Sequence, residues 1–219
     1  MRKIVLSLRP VGLFSLGSTH PRALGPDVPF AAKPVHKDGK IAYVLYIPGS
    51  SVKGALRSAA SRIAGHDIQP QQSHTTAFKF TTCNESLSKF MRECDVCNLF
   101  GKPGVVYPKV FVGDFECEKS SKHHILTKVG IDDKSLTASE HALYSVEYIS
   151  RRTIFKGEIS YIRLTEKELE LLLLAIAELR LDRLGRASAI DAKIEQVVDP
   201  GVPPKLREIV DELGEWLWG

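Results

Sequence analysis

Two groups of side chains in this chain have types and spacings that could do chemistry. His74, Cys83, Cys94 and Cys97 fall in one polar stretch, and Cys94 and Cys97 are separated by two residues. Thiolates on that spacer can share one tetrahedral ion, and Cys83 and His74 lie within loop reach to complete a set of three sulfurs and one nitrogen. A structural zinc ion there would hold together a loop too polar to bury a core of its own. The competing readings are cysteines buried as small hydrophobes and a redox pair. Cys117, in the strand-like stretch Phe115 to Glu118, reads as a core residue.

The second group is Ile47-Pro48-Gly49-Ser50-Ser51-Val52-Lys53-Gly54-Ala55-Leu56-Arg57. It reads as a strand end, a tight Pro-Gly turn, two hydroxyls, and a helix whose first turns carry two cations. Val52, Ala55, Leu56, Ala59, Ala60, Ile63 and Ala64 recur at helical spacing, so one face is buried. Ser50 or Ser51 is the natural N-cap. Unpaired backbone N–H groups, two hydroxyls, Lys53 and Arg57 then converge at a helix N-terminus, which suits a phosphate. The plain alternative is an ordinary capped helix with solvated cations.

The elements that must position these groups follow a recognisable order. Residues 3–8 and 41–47 read as strands and 51–64 as the first helix; 105–112 and 153–164 are rich in β-branched and aromatic residues and read as strands. Thr165-Glu166-Lys167-Glu168 is a capping box opening a largely buried helix, Leu169 to Leu181. Residues 192–198 supply a late strand. After the Pro- and Gly-rich break at 199–204, Leu206, Ile209, Val210, Leu213, Trp216 and Leu217 mark a short amphipathic helix. Strand, helix, strand, strand, helix, strand is the ferredoxin-like βαββαβ order, an α+β fold shared with the RNA-recognition motif. The whole chain, 1–219, reads as a single domain carrying long insertions at about 9–40, 65–104 and 119–148, the last an extended hairpin.

Composition is compatible with this and narrows the classes. The 219 residues include 43% hydrophobic side chains, enough for a real core. No apolar run is long enough to span a bilayer, and the first eight residues read as an opening strand, so a cytoplasmic protein with no membrane partner is expected. A net charge of +4 permits a polyanionic partner without demanding one. Four cysteines in a reducing compartment point away from a disulfide framework.

Three collinear stretches resemble the RAMP superfamily, the repeat-associated proteins of CRISPR systems, and particularly the backbone subunits of type III effector complexes. Ile47 to Arg57 is similar to that family's signature turn and helix. Cys94-Asp95-Val96-Cys97-Asn98-Leu99-Phe100-Gly101 resembles its Cys-x-x-Cys-x-Leu-Phe-Gly segment. Gly130-Ile131-Asp132-Asp133, with 143–149 and 153–157 behind it, resembles its Ile-Asp-Arg segment and trailing strands. Two places depart from the pattern: Leu16 stands before Gly17 where a His is common, and 184–190 holds a single glycine where the family has a Gly-rich loop. Against the family's pattern, that loss implies either RNA contact there through the side chains of Arg183 and Arg186 or a weakened site.

The resemblance implies a guide-RNA-binding subunit, one of several copies or paralogues in a filament-like assembly with other RAMP subunits and target RNA. Ser50, Ser51, Lys53 and Arg57 would grip the guide backbone irrespective of sequence. Related subunits can carry zinc in the 65–104 region. In catalytic members an aspartate in the loop before the Ile-Pro-Gly-Ser turn supports cleavage of target RNA, and Asp27 is the matching position, with His20 or His36 as possible acid–base helpers. Asp27 would orient or deprotonate a 2′-hydroxyl or help hold a divalent cation such as Mg. Asp38, by contrast, lies in Lys37-Asp38-Gly39-Lys40, a hairpin-turn sequence. The alternatives implied are a non-catalytic structural paralogue of the same complex and a metal-independent endonuclease processing precursor guide RNA.

Overall fold

A computed structural model describes residues 2–18, 25–37, 39–64, 80–82, 94–118, 122–184 and 188–218. His20, Asp38, His74, Cys83 and Arg186 lie outside the described residues. The elements run β1 (Arg2–Pro10), β2 (Ala32–Lys37), β3 (Lys40–Ile47), α1 (Gly49–Ala64), α2 (Asp95–Phe100), β4 (Val110–Val112), β5 (Phe115–Cys117), β6 (His123–Ile131), β7 (Ala138–Ile149), β8 (Phe155–Tyr161), α3 (Glu166–Leu179), β9 (Arg183–Leu184), β10 (Ser188–Val198) and α4 (Pro204–Glu212).

The main sheet is antiparallel in the order β2-β3-β5-β8-β1-β10-β9, with β4 also paired to β8. Taking the short β4 and β5 together as the second strand, β10-β1-β8-β5 is the 4-1-3-2 arrangement of a ferredoxin-like fold. Ile4, Leu6 and Leu8 of β1 and Phe155, Ile159 and Tyr161 of β8 face Val52, Leu56 and Ala59 of α1 and Leu172 and Ile176 of α3, all essentially buried. Period-2 strands against period-3.6 helices give this single core its two layers. Among the described residues no helix is long and apolar enough to cross a membrane.

Local signals and structure agree where the cause is local. Thr165 Oγ1 accepts the Glu168 N–H at 3.3 Å while Glu168 Oε2 accepts the Thr165 N–H at 2.9 Å, the reciprocal cap expected at α3. They differ where a proline intervenes. The strand expected over 105–112 begins only at Val110, because Pro103, Gly104 and Pro108 shape a turn in which Lys102 bridges Val106. The loop expected over 9–40 contains β2, which lies at the sheet edge where Pro34 is tolerated. Strands β2 and β3 pair as far as Lys37 opposite Lys40, and Gly39 takes φ 73°.

Two features frame the site. Strands β6 and β7 form a separate two-stranded hairpin, and Val28 bridges Val146 in parallel, so residues 27–30 run alongside the base of β7. Phe30 stacks on Phe155 at a centroid distance of 6.0 Å, and Phe14 meets Phe30 and Phe155 edge-on at 5.6 and 6.5 Å, anchoring that loop to the sheet.

Candidate functional site

The helix α1 starts at Gly49, two residues before the expected 51, and its cap comes from elsewhere. The Gly49 N–H donates to Asp114 Oδ1 at 3.0 Å, from the Gly113-Asp114 turn joining β4 to β5. This replaces the expected Ser50 or Ser51 N-cap; both serines sit inside the first turn, Ser50 exposed and Ser51 half-buried. Gly49 is required by space, since a Cβ there would lie 2.3 Å from the Val112 carbonyl oxygen. The helix end is thus seated directly on the β4–β5 turn, and no acidic residue occupies its own first turn. Asp114 is held below the usual carboxylate range, first by the Gly49 N–H and then by Lys33, whose Nζ lies 3.1 Å away.

The cations expected at this helix separate into two kinds. Lys53 is half-buried with Nζ over the Phe111 ring at 6.0 Å, and burial, then the neighbouring Arg57 charge, lowers its pKa. Arg57 turns inward: it donates to the Gly101 carbonyl at 2.5 Å and to Cys97 Sγ at 3.7 Å. Arg183 is exposed on β9, which α1 touches. Ser50 and Arg183 are exposed and Ser51 and Lys53 half-buried, all on or next to one helix, while Arg57 ties that helix to α2.

Cys94 and Cys97 are both buried, at the N-cap and in the first turn of α2. Cys94 Sγ accepts the Cys97 N–H at 3.2 Å, so both sulfurs stand at one helix end. Two sulfurs so placed, with an amide and a guanidinium directed at them, suit thiolate ligands and would form half of a tetrahedral zinc site. Among the described residues no group of three or more metal-ligating side chains is assembled. Cys117 on β5 packs partly buried against the core.

Asp27 is exposed but firmly held. Its Oδ2 accepts the Ser145 N–H at 2.7 Å and the Ser145 hydroxyl at 2.8 Å, and its own N–H donates to Ser145 Oγ at 3.0 Å. These bonds, the Ser145 amide first, hold the carboxyl below its ordinary value. His36 is exposed on β2. Sequence reasoning missed His123 and Glu147, which meet at the same hairpin base at 2.6 Å. The signal available was a lone carboxylate inside the apolar run Val146-Glu147-Tyr148-Ile149.

A family model described as the RAMP superfamily matches residues 33–189. The chain belongs to the RAMP superfamily. A comparison with curated proteins found no match. Among solved structures, a chain in one titled "Type IV-B CRISPR Complex" is similar in fold at a TM-score of 0.60 and 14% identity, covering 93% of this chain and 94% of that one.

The RAMP segments have physical reasons of their own here. Gly101 ends α2 at φ 88°, where a side chain would be strained and would crowd Pro108. Asp132 Oδ1 accepts the N–H groups of Lys134 and Ser135 at the hairpin tip, so the aspartate of the Gly-Ile-Asp segment shapes a turn. A Cβ on Gly157 would lie 2.6 Å from the Phe115 ring.

Proposed function

We propose that this protein is a guide-RNA-binding backbone subunit of a type III CRISPR ribonucleoprotein that cleaves guide-paired target RNA with Asp27. Membership of the RAMP superfamily, together with fold likeness to a chain of a CRISPR complex, supports a CRISPR RNA-binding subunit assembling with other RAMP subunits. The observation that carries the cleavage reading is the anchored, exposed carboxylate of Asp27 beside the hairpin base. Guide phosphates lie against Ser50, Ser51, Lys53 and Arg183, a grip indifferent to sequence, while pairing between guide and target sets specificity. The hairpin wedges between nucleotides, and its exposed Ile125, Val129, Ile131 and Leu136 suit contact with unstacked bases or a neighbouring subunit.

Asp27 is exposed, and with its carboxyl held below the ordinary value it stays charged at neutral pH. It accepts a hydrogen bond from a target 2′-hydroxyl and orients it toward the adjacent phosphate. The described residues do not form a cage for a divalent cation: Asp27 stands there without a set of partner ligands.

The test is Asp27→Ala, assembled with guide RNA and partner subunits. Target RNA should still bind, and cleavage should fall on the order of a hundredfold, the scale of one acid–base group. Cleavage at the wild-type rate, or a wild type that does not cut, overturns the enzyme reading and leaves the structural subunit.

A further inference from the structure

The hairpin base holds a second pair that the reading above does not use. Glu147 lies on β7 with its side chain 5% exposed. Its Oε2 accepts the Phe30 N–H at 2.7 Å, and its Oε1 lies 2.6 Å from Nδ1 of His123. A buried carboxylate pinned by a backbone amide cannot swing away, so it takes a hydrogen bond from Nδ1–H and fixes the ring's orientation and tautomer. The His123 side chain is 40% exposed. The ring therefore presents Nε2 outward, backed by negative charge, which is the arrangement of an acid–base histidine with its orienting carboxylate.

The two sites share one strand. Ser145, which holds Asp27, and Glu147, which holds His123, are two residues apart on the same face of β7, about 7 Å along the strand. Residues 27–30 run beside them, with Asp27 at the first position and the Phe30 N–H at the second. Asp27 lies beside Ser145 on one side of β7, and His123 lies on β6 opposite Ile149 on the other, so both stand at the hairpin base.

We propose that His123 is the general acid of target-RNA cleavage and that Glu147 is its positioning residue. The inference rests on the assignment of Asp27 above. The 2′-hydroxyl gives its proton to the Asp27 carboxylate as the O2′–P bond forms. The P–O5′ bond breaks, its electron pair stays on O5′, and O5′ takes the proton from His123 Nε2. The products are a 2′,3′-cyclic phosphate and a 5′-hydroxyl, and water returns the proton from Asp27 to His123.

The experiment compares wild type, Asp27→Ala, His123→Ala and His123→Gln in the complex assembled with guide RNA and partners. His123→Gln retains an N–H donor for Glu147, so it separates the loss of a proton donor from the loss of packing. Two substrates are used: ordinary target RNA, and the same RNA with sulfur in place of the scissile 5′-oxygen, whose thiolate departs without a proton. Both His123 variants should cut ordinary RNA about a hundredfold slower and cut the sulfur substrate within about threefold of wild type, whereas Asp27→Ala stays slow on both. His123 variants equally slow on both substrates would show a merely structural role and overturn the proposal. His123 variants at the wild-type rate beside an inactive Asp27→Ala would overturn it while leaving the Asp27 assignment standing. A wild type that cuts neither substrate would overturn both.

Discussion

Asp114 does two opposed things at the start of α1, and that opposition can be measured. Its Oδ1 takes the Gly49 N–H, one of the helix's orphan donors, and its negative charge suits the positive helix end. The same charge sits where guide phosphates are proposed to lie. Asp114→Ala should therefore destabilise the fold and strengthen RNA binding. Losing a cap costs about 1 kcal/mol, and the smaller part of the usual range applies because the side chain is 41% exposed and Lys33 keeps Glu116 at 2.8 Å. In a domain of this size about 1 kcal/mol lowers Tm by roughly 2–4 °C. A unit charge about 7 Å from a phosphate in water-like surroundings repels it by about 0.6 kcal/mol, or roughly threefold in Kd. Asp114→Asn keeps an acceptor for Gly49 without the charge, so it should gain the affinity and lose little Tm. The assays are thermal unfolding and polarisation of labelled single-stranded RNA. An Asn variant with unchanged affinity would refute the placement of phosphate at α1; an Ala variant with unchanged Tm would refute the cap. The pH dependence follows in sign. A carboxyl depressed by Gly49 and Lys33 contributes stability above its unfolded pKa, and this is lost as pH falls through the folded value, so the Tm gap between wild type and Asp114→Ala should close below about pH 4.

Other expectations follow from the same geometry. Lys53→Ala should weaken binding to RNA of any sequence and flatten the log–log salt dependence by about 0.7 per lost phosphate contact. Arg57→Ala should instead cost about 1–2 kcal/mol of stability, because its guanidinium bonds Gly101 and Cys97; a normal denaturant midpoint would contradict that. If Cys94 and Cys97 hold zinc with His74 and Cys83, purified protein should carry close to one equivalent and Cys94→Ala should lose both metal and melting temperature; metal-free protein with an unchanged melting curve ends the idea. Asp191→Ala should cost about 3–5 kcal/mol, since this fully buried carboxylate accepts the N–H groups of Ala192, Leu217 and Trp218 and faces Arg180 and Arg9; a loss under about 1 kcal/mol would show that the C-terminal tail is not held through it.

What could be read in the sequence was what depends on neighbours. The Thr165–Glu168 box and the buried stripe of α1 are decided within a few residues. The α1 cap was sought in Ser50 and Ser51 because a cap is ordinarily local, whereas the acceptor lies 65 residues downstream. Asp27 could be singled out only through family likeness; its hold on Ser145 spans 118 residues, and no periodicity encodes that. The hydrophobic pattern around Glu147 marked a strand, but that His123 would lie diagonally opposite it depends on the register of β6 against β7.

That register also bears on where RNA can run. A ferredoxin-like sheet invites comparison with the RNA-recognition motif, whose open face stacks bases on aromatic side chains. Here the face away from α1 and α3 carries cross-strand ion pairs, Lys3 with Glu158 at 2.8 Å, Lys33 with Glu116 at 2.8 Å and Lys156 with Glu118 at 3.5 Å. The rings of Tyr46 and Trp216 on it are each approached by a cation, Lys33 at 5.2 Å and Arg9 at 4.5 Å. A surface whose cations are matched by carboxylates draws no polyanion, and rings already covered stack no bases. On the function proposed above, RNA would run past Lys53 and Arg183 beside α1, for which the described residues show no carboxylate partner, and along the exposed apolar hairpin with Asp27 and His123 at its base, and would leave the open sheet face aside.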